Sequence, residues 1–248
     1  MKNLLIYINP KNGFDREYRR VVPIQIDNTL KYFDKKDIIL ATNFPYEHNE
    51  IKAIVVPDDL YCDVHDKASK INVIIHLLEE NIINELTWFH DIDAFQIGKL
   101  NLKLDKEIGF TDYGYSPKWN TGSIFFEPSA LEVFYWIRYA VYKYETDEER
   151  ALMKLTDSNF KNINSRYERL NVTYNFGTRR FKEKFVVAHK PIKVLHFHPH
   201  RAHHVKGLQS VIPPYLIKMF HEYPIEKPYG SMKIIEKLYE KSTNVHGS

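Results

Sequence analysis

Two aspartates one residue apart, Asp91 and Asp93, end the apolar run Trp88-Phe89-His90. In an extended backbone side chains alternate between faces, so both carboxylates are expected to point the same way. Two carboxylates on one side of a strand end suit a hard divalent cation, Mn2+ or Mg2+, that also holds phosphate oxygens. A third ligand has to come from elsewhere in the fold. Five of the twelve histidines fall between His196 and His204, directly after an apolar stretch. If that stretch is a strand, His196 and His198 share a face, and a neutral imidazole is a suitable ligand for a manganese-like ion. At least one of His196 and His198 is expected to be a metal ligand or a phosphate contact, with Lys206 a further cation for the phosphates; the alternative is a group of surface histidines near a proline turn. Asp147 and Glu148 form a further acidic pair, suited either to catalysis or to capping the helix that starts there.

The elements that must position these groups follow from the apolar pattern. Residues 4–8 read as a buried first strand, closed by the turn cluster Asn9-Pro10-Lys11-Asn12-Gly13. Helical spacing at Ile26, Leu30 and Phe33 predicts a helix over 23–33, and strands are expected at 37–42 and 53–56. A long helix over 66–84 presents Ile71, Ile74, Ile75, Leu78 and Ile82, and a fourth strand runs from about 86 into the aspartates. Alternating elements with fully apolar strands predict an α/β fold with a mostly parallel central sheet flanked by helices. Ligands of such sheets bind beyond the carboxyl ends of the strands. Asn9, Thr42, Asn43, Asp58-Asp59 and the aspartate pair all fall at those ends.

After the pair, short strands are expected at 107–110, 122–126 and 193–198, with helices at 131–144, 147–155, 215–220 and 232–239. The turn-rich segment 112–120 carries Tyr113, Tyr115 and Trp119, an aromatic platform on which an acceptor could stack. With no repeat and no linker, residues 1–248 read as a single domain with a C-terminal helical extension.

Composition narrows the classes. The 35 basic and 32 acidic residues nearly cancel, which argues against a dedicated nucleic-acid binder. A single cysteine, Cys62, leaves neither a disulfide framework nor a thiolate zinc site within the chain. The run at 4–8 is too short for a signal-peptide core, and no stretch is long enough to span a bilayer, so a cytoplasmic protein is expected. There is no Walker loop, no G-x-G-x-x-G and no G-x-S-x-G elbow, which disfavours kinases, dehydrogenases and α/β-hydrolases.

Taken in order, Asp91-x-Asp93, Trp119-Asn120-Thr121-Gly122, Asp147-Glu148 and Val194-Leu195-His196-Phe197-His198 resemble the GT-A fold, metal-dependent nucleotide-sugar glycosyltransferases. The layout is most similar to the glycogenin and bacterial galactosyltransferase-like group, and also to small virus-encoded sugar transferases, over about residues 2–205. That resemblance implies Mn2+ or Mg2+ on Asp91, Asp93 and His196, and a UDP-type nucleotide-sugar donor. It implies a glycan or glycoprotein acceptor and leans towards retention of anomeric configuration. It further implies that Asn120, Thr121 and Gly122 face the donor sugar and that Asp147 or Glu148 lies beside the reacting centre. The nucleotide would lie over residues of about 1–95 (Asn9, Thr42, Asn43, Phe44, Lys70 and Asp91, with the base on Phe44), the sugar and acceptor over about 96–210, and the helical tail over 211–248. Two departures stand out. The group's Lys-Pro-Trp is replaced by His203-His204-Val205-Lys206-Gly207, and its Asp-Gln reads Asp147-Glu148. A nucleotide-sugar-forming nucleotidyltransferase and a non-catalytic metal- or sugar-binding module are the alternatives.

Overall fold

A computed structural model describes residues 1–113, 118–225 and 229–244. Strand β1 (Lys2–Tyr7) is followed by helix α1 (Tyr18–Thr29) and strand β2 (Ile38–Thr42). A small hairpin, β3 (Glu47–His48) and β4 (Ile51–Lys52), leads into β5 (Ile54–Val55). Helix α2 (Ser69–Glu79) precedes β6 (Thr87–His90) and β7 (Ala94–Gln96). Strands β8 (Ile108–Asp112) and β9 (Trp119–Phe126) are followed by helices α3 (Leu131–Tyr144) and α4 (Glu148–Asp157). Then come β10 (Tyr167–Leu170), β11 (Phe176–Gly177), α5 (Phe181–Val187) and β12 (Val194–His196). Helices α6 (Ala202–Leu208), α7 (Pro214–Glu222) and α8 (Tyr229–Asn244) close the chain.

The central sheet has the order β10-β8-β9-β6-β1-β2-β5. Every neighbouring pair in it is parallel except those of β9, which runs antiparallel to both β6 and β8. Alternation along β1 shows why its strands are apolar throughout. Leu4 and Ile6 join Ile71 and Ile74 of α2, Phe134 and Ile137 of α3 and Leu152 of α4 in one core. Leu5, on the other face, packs with Val22 and Ile26 of α1, Leu216 and Phe220 of α7 and Ile235 of α8 in a second. A sheet covered on both faces leaves its strand ends as the open place for polar chemistry.

A second, three-stranded sheet, β11-β12-β7, decides the geometry of that place. Strand β12 runs antiparallel to β7, with His196 opposite Ala94, and the Phe197 amide donates to the Asp93 carbonyl at 2.9 Å. The histidine stretch is thereby stitched to the residues just after the aspartates.

The expected elements are present, with several differences of boundary; the last strand, expected over 193–198, ends at His196, so His198 lies beyond it and does not share a strand face with His196. Helix α1 begins at Tyr18 and carries Pro23 in its interior, whereas the sequence places that proline at a helix start, where it is best tolerated. Helix α2 is shorter than 66–84, because Asp66–Ala68 form a separate 3-10 turn and the helix stops at Glu79. Strand β9 begins at Trp119, so part of the segment expected as a loop is sheet; Tyr115 lies outside the described residues.

Candidate functional site

Strand β6 delivers the aspartates through His90, which is fully buried between the Asn3 and Gln25 amides and stacked 3.9 Å from the Trp88 ring. Burial pushes its imidazole down to about 3, so it stays neutral and structural. The two aspartates do not share a face through strand alternation. The Ala94 amide donates to the Asp91 carbonyl at 2.9 Å, so Asp91–Ala94 form a tight turn between β6 and β7. The turn, not an extended backbone, aims both carboxylates into the crevice.

His196 meets them there. Its Nε2 lies 3.3 Å from Asp93 Oδ1 and 3.7 Å from Asp91 Oδ2, while His198 Nδ1 lies 2.7 Å from Asp93 Oδ2. One ligand atom from each of Asp91, Asp93 and His196 falls within 4.8 Å of the others, the one such metal-ligand grouping among the described residues. Asp93 is only 4% exposed. Burial alone would raise its pKa, but the facing His196 and His198 outweigh burial and hold the carboxyl well below the usual range. His196 mirrors this: burial opposes its charge, and Asp93 raises its pKa regardless.

The donor set suits a divalent ion. Asn175 uses its amide nitrogen towards Thr111 Oγ1 (3.2 Å) and the Asn120 carbonyl (3.4 Å), which turns its Oδ1 to His196 Nδ1 at 2.9 Å. An oxygen there makes Nδ1 the donor and leaves the Nε2 lone pair facing the carboxylates, the usual outer support of a metal-bound histidine. Gly122 forms the floor. A Cβ at that position would lie 2.3 Å from His196 Cε1 and 2.9 Å from Asp91 Oδ2. Gly122→Ala must therefore displace the imidazole. The expected outcome is Mn2+ affinity about 10- to 100-fold weaker, read by calorimetry; unchanged affinity would exclude His196 from the ion.

A second layer lies behind the aspartates. Lys70, near the start of α2, is 8% exposed, with Nζ 3.2 Å from Asp91 Oδ1, 2.8 Å from Glu148 Oε1 and 3.3 Å from the Thr121 carbonyl. Burial works against this ammonium, yet Asp91 and Glu148 raise its pKa. Glu148 accepts the Thr121 hydroxyl at 2.9 Å; burial would raise its pKa, but Lys70 holds it below normal. The acidic pair thus separates into two roles. Asp147 is the N-cap of α4, accepting the Arg150 amide at 2.7 Å and pairing with its guanidinium at 2.9 Å. Glu148 turns inward.

Glu149, the next acid along the same helix start, accepts the Thr121 amide at 3.1 Å. Burial pushes its carboxyl up from 4.5 to about 7, with Lys70 opposing and Glu148 reinforcing. Between those values the folded chain binds more protons than the unfolded one, so stability from this group is present below pH 4.5 and lost as pH rises through 7. With solvent screening of a partly exposed carboxyl the loss is about 2 kcal/mol. Urea unfolding at pH 5 and pH 8 is expected to show about that difference, and Glu149→Gln is expected to remove it; an unchanged difference would place the titration elsewhere.

These groups open onto a crevice of about 940 Å3 at the carboxyl edge of the sheet. Asn9 and Asn120 line it, whereas Thr121 and Gly122 lie beneath, holding the glutamates and the metal ligands. Asn43 is a strap under the wall: it accepts the Asn9 amide at 2.9 Å and donates to the Asn9 carbonyl at 2.9 Å and to Asp58 Oδ1 at 2.7 Å. The Thr42 hydroxyl donates to the Phe44 carbonyl and is buried.

Three expectations are overturned. Phe44 is 6% exposed and packs edge-on to Phe14 at 4.9 Å, so its ring belongs to the core; Tyr7 and Tyr61 face the crevice instead. Trp119 is fully buried and donates to Thr156 Oγ1 at 3.0 Å, which removes it from any platform, while Tyr113 remains on the crevice wall. Lys206 is exposed on α6 away from the crevice lining, whereas His203 and His204 of the same helix line it.

No protein-family model matches the sequence, and no curated protein does either. Solved structures do match. A glycosyltransferase involved in glycosylation of the major capsid of PBCV-1 superposes with a TM-score of 0.52 at 12% identity, over 79% of this chain and 93% of that one. The galactosyltransferase LgtC, in complex with donor and acceptor sugar analogs, matches with a TM-score of 0.56 at 10% identity, over 96% of each chain. GlyE of Streptococcus pneumoniae TIGR4 matches with a TM-score of 0.55 at 12% identity over 97% of this chain, which spans 63% of GlyE's length. The chain has the GT-A-type fold that these glycosyltransferases share.

Proposed function

We propose that this protein is a glycosyltransferase that moves a sugar from a UDP-type nucleotide-sugar to an acceptor hydroxyl with the aid of Mn2+ or Mg2+. The observation that carries the reading is the convergence of Asp91, Asp93 and His196 at the carboxyl edge of a GT-A sheet. Those three side chains would hold the ion, which when bound supplies positive charge to the leaving diphosphate.

The remaining chemistry belongs to the chain. Lys70 fixes Asp91 by one oxygen, leaving Oδ2 on the His196 side. Glu148 stays ionised at neutral pH because Lys70 compensates its burial, and its Oε2 has no hydrogen-bond partner among the described residues. A fixed carboxylate suits the positive charge that grows at the anomeric carbon as the sugar–phosphate bond breaks. Asn9 and Tyr61 are assigned to the nucleoside side of the crevice, and Asn120 to the donor sugar. Residues 1–248 act as one catalytic unit in this reading, with a glycan or glycoprotein as acceptor. Among the described residues no helix is long and apolar enough to cross a membrane.

Calorimetric titration of UDP with and without Mn2+, followed by a UDP-release assay over a panel of UDP-sugars, tests the reading. Binding of UDP that requires the metal, with release from at least one donor, is expected. UDP binding indifferent to Mn2+ and no release from any donor would remove the proposal.

A further inference from the structure

Helix α5 packs through one face and leaves apolar side chains on another. Phe181 and Phe185 lie one turn apart, stack at 5.5 Å and reach the buried Phe176, while Lys184 of the same helix lines the crevice. Val186 and Val187 are 83% and 61% exposed, Val186 being the most exposed large apolar side chain among the described residues. Phe185 beside them is 40% exposed. β-Branched residues at exposed helix positions gain nothing from packing and favour the helix less than most, so folding does not account for them. A lone exposed apolar side chain is ordinary, whereas three in succession form a patch that calls for a partner.

The surroundings of the patch select that partner. Lys182 stands one turn before Val186 on the same helix face. Lys190 Nζ donates to the Phe185 carbonyl at 2.6 Å and lies 3.6 Å from the centre of its ring. Residues 179–193 hold six lysines and arginines and one acid, Glu183, a larger positive balance than the +3 of the whole chain. Lysine is depleted from protein interfaces, and three side chains fall far short of the about 800 Å2 a side that a stable dimer buries. Lysine stems laid along apolar surface, with their ammonium groups at its edge, suit the boundary between acyl chains and phosphate headgroups.

We propose that this face of α5 docks on an anionic lipid bilayer, with Phe185, Val186 and Val187 entering the headgroup boundary and Lys182 and Lys190 meeting lipid phosphates. Each lysine near such a surface tightens binding about fivefold. Because Lys184 lines the crevice from the same helix, docking brings the mouth of the crevice close to the headgroups. On the glycosyltransferase reading the acceptor is then a glycan carried at a membrane surface; the docking itself does not depend on that reading.

Sedimentation with vesicles tests the proposal, using the full chain without metal or nucleotide. Vesicles of phosphatidylcholine and phosphatidylglycerol in equal parts are expected to bind the protein about tenfold or more tightly than vesicles of phosphatidylcholine alone. That difference is expected to shrink as salt is raised from about 0.1 M to about 0.5 M. Val186→Ser/Val187→Ser and Lys182→Gln/Lys190→Gln are each expected to weaken anionic-vesicle binding about tenfold or more, with far-UV circular dichroism unchanged. Equal binding of the wild type to both kinds of vesicle would overturn the proposal, whatever the variants do. So would anionic-vesicle binding that either variant retains in full, which would place the contact elsewhere on the chain. Light scattering without lipid tests a second copy as the occupant: a dimer that Val186→Ser/Val187→Ser dissociates would assign the patch to self-association and overturn membrane docking. Vesicle binding is read without UDP, so it stands or falls separately from the glycosyltransferase reading.

Discussion

Asp93→Asn is expected to abolish Mn2+-dependent UDP binding and to lower UDP-sugar turnover by about a thousandfold or more, while the fold survives. The side chain is nearly isosteric, so packing changes little. What changes is charge at a residue whose two oxygens are divided between two imidazoles, Oδ1 facing His196 Nε2 and Oδ2 facing His198 Nδ1. Losing it takes one of the two carboxylates out of the Asp91-Asp93-His196 cluster that would hold the ion, and removes the partner that raises His196. Asp93 is what raises the His196 pKa, so without it the buried imidazole is neutral, no charge is stranded, and stability is expected to shift by no more than about 1 kcal/mol at pH 8. Calorimetry and UDP release, with urea unfolding as the control, read both halves. A variant that still binds UDP in a metal-dependent manner would break the link between Asp93 and the ion.

The parts legible in the sequence are those written in periodicity and in charge. Buried parallel strands are apolar without interruption, which is why β1, β2 and β6 stand out, and the fold class follows from their alternation with helices. The aspartate pair and His196 were legible as chemistry, and their meeting was legible only through resemblance, since more than a hundred residues separate them. The strands that bring them together, β7, β11 and β12, are two or three residues long, too short to carry a period. Aromatic residues misled for a related reason. A Phe after a strand, or a Trp in a turn-rich segment, has the same composition signal whether its ring faces a crevice or the core. Trp119 faces the core because β9 carries it there, and Phe44, two residues past the end of β2, is buried against Phe14. Asn175 and Glu149 were not singled out because their roles depend on tertiary partners, Asn175 on His196 and Glu149 on the Thr121 amide. A run of three acids at a helix start signals a cap; it does not say which of them turns inward.

Lys70→Met is expected to destabilise the protein by about 3–5 kcal/mol, the largest stability effect of any single substitution considered. Among the described residues the lysine is the sole cation paired with Glu148, which is 2% exposed, and it also holds Asp91. Methionine fills the volume but leaves a carboxylate in a desolvated site. The sign of the pH dependence follows. With Lys70 in place, Glu148 titrates below its ordinary 4.5 and contributes stability above that pH. Without it, burial raises the Glu148 pKa above 4.5, so the folded chain binds the extra proton and stability falls as pH rises from that value. The deficit of the variant is therefore smallest in acid and grows towards neutral pH. The double variant Lys70→Met/Glu148→Gln removes the stranded charge and is expected to recover about 2 kcal/mol or more at pH 7.5, a coupling that independent sites would not display. Chemical unfolding of the wild type, Lys70→Met, Glu148→Gln and the double variant at pH 5 and pH 7.5 measures it. A single variant within about 1 kcal/mol of wild type, or a double variant no more stable than the single, would show that Lys70 does not neutralise Glu148.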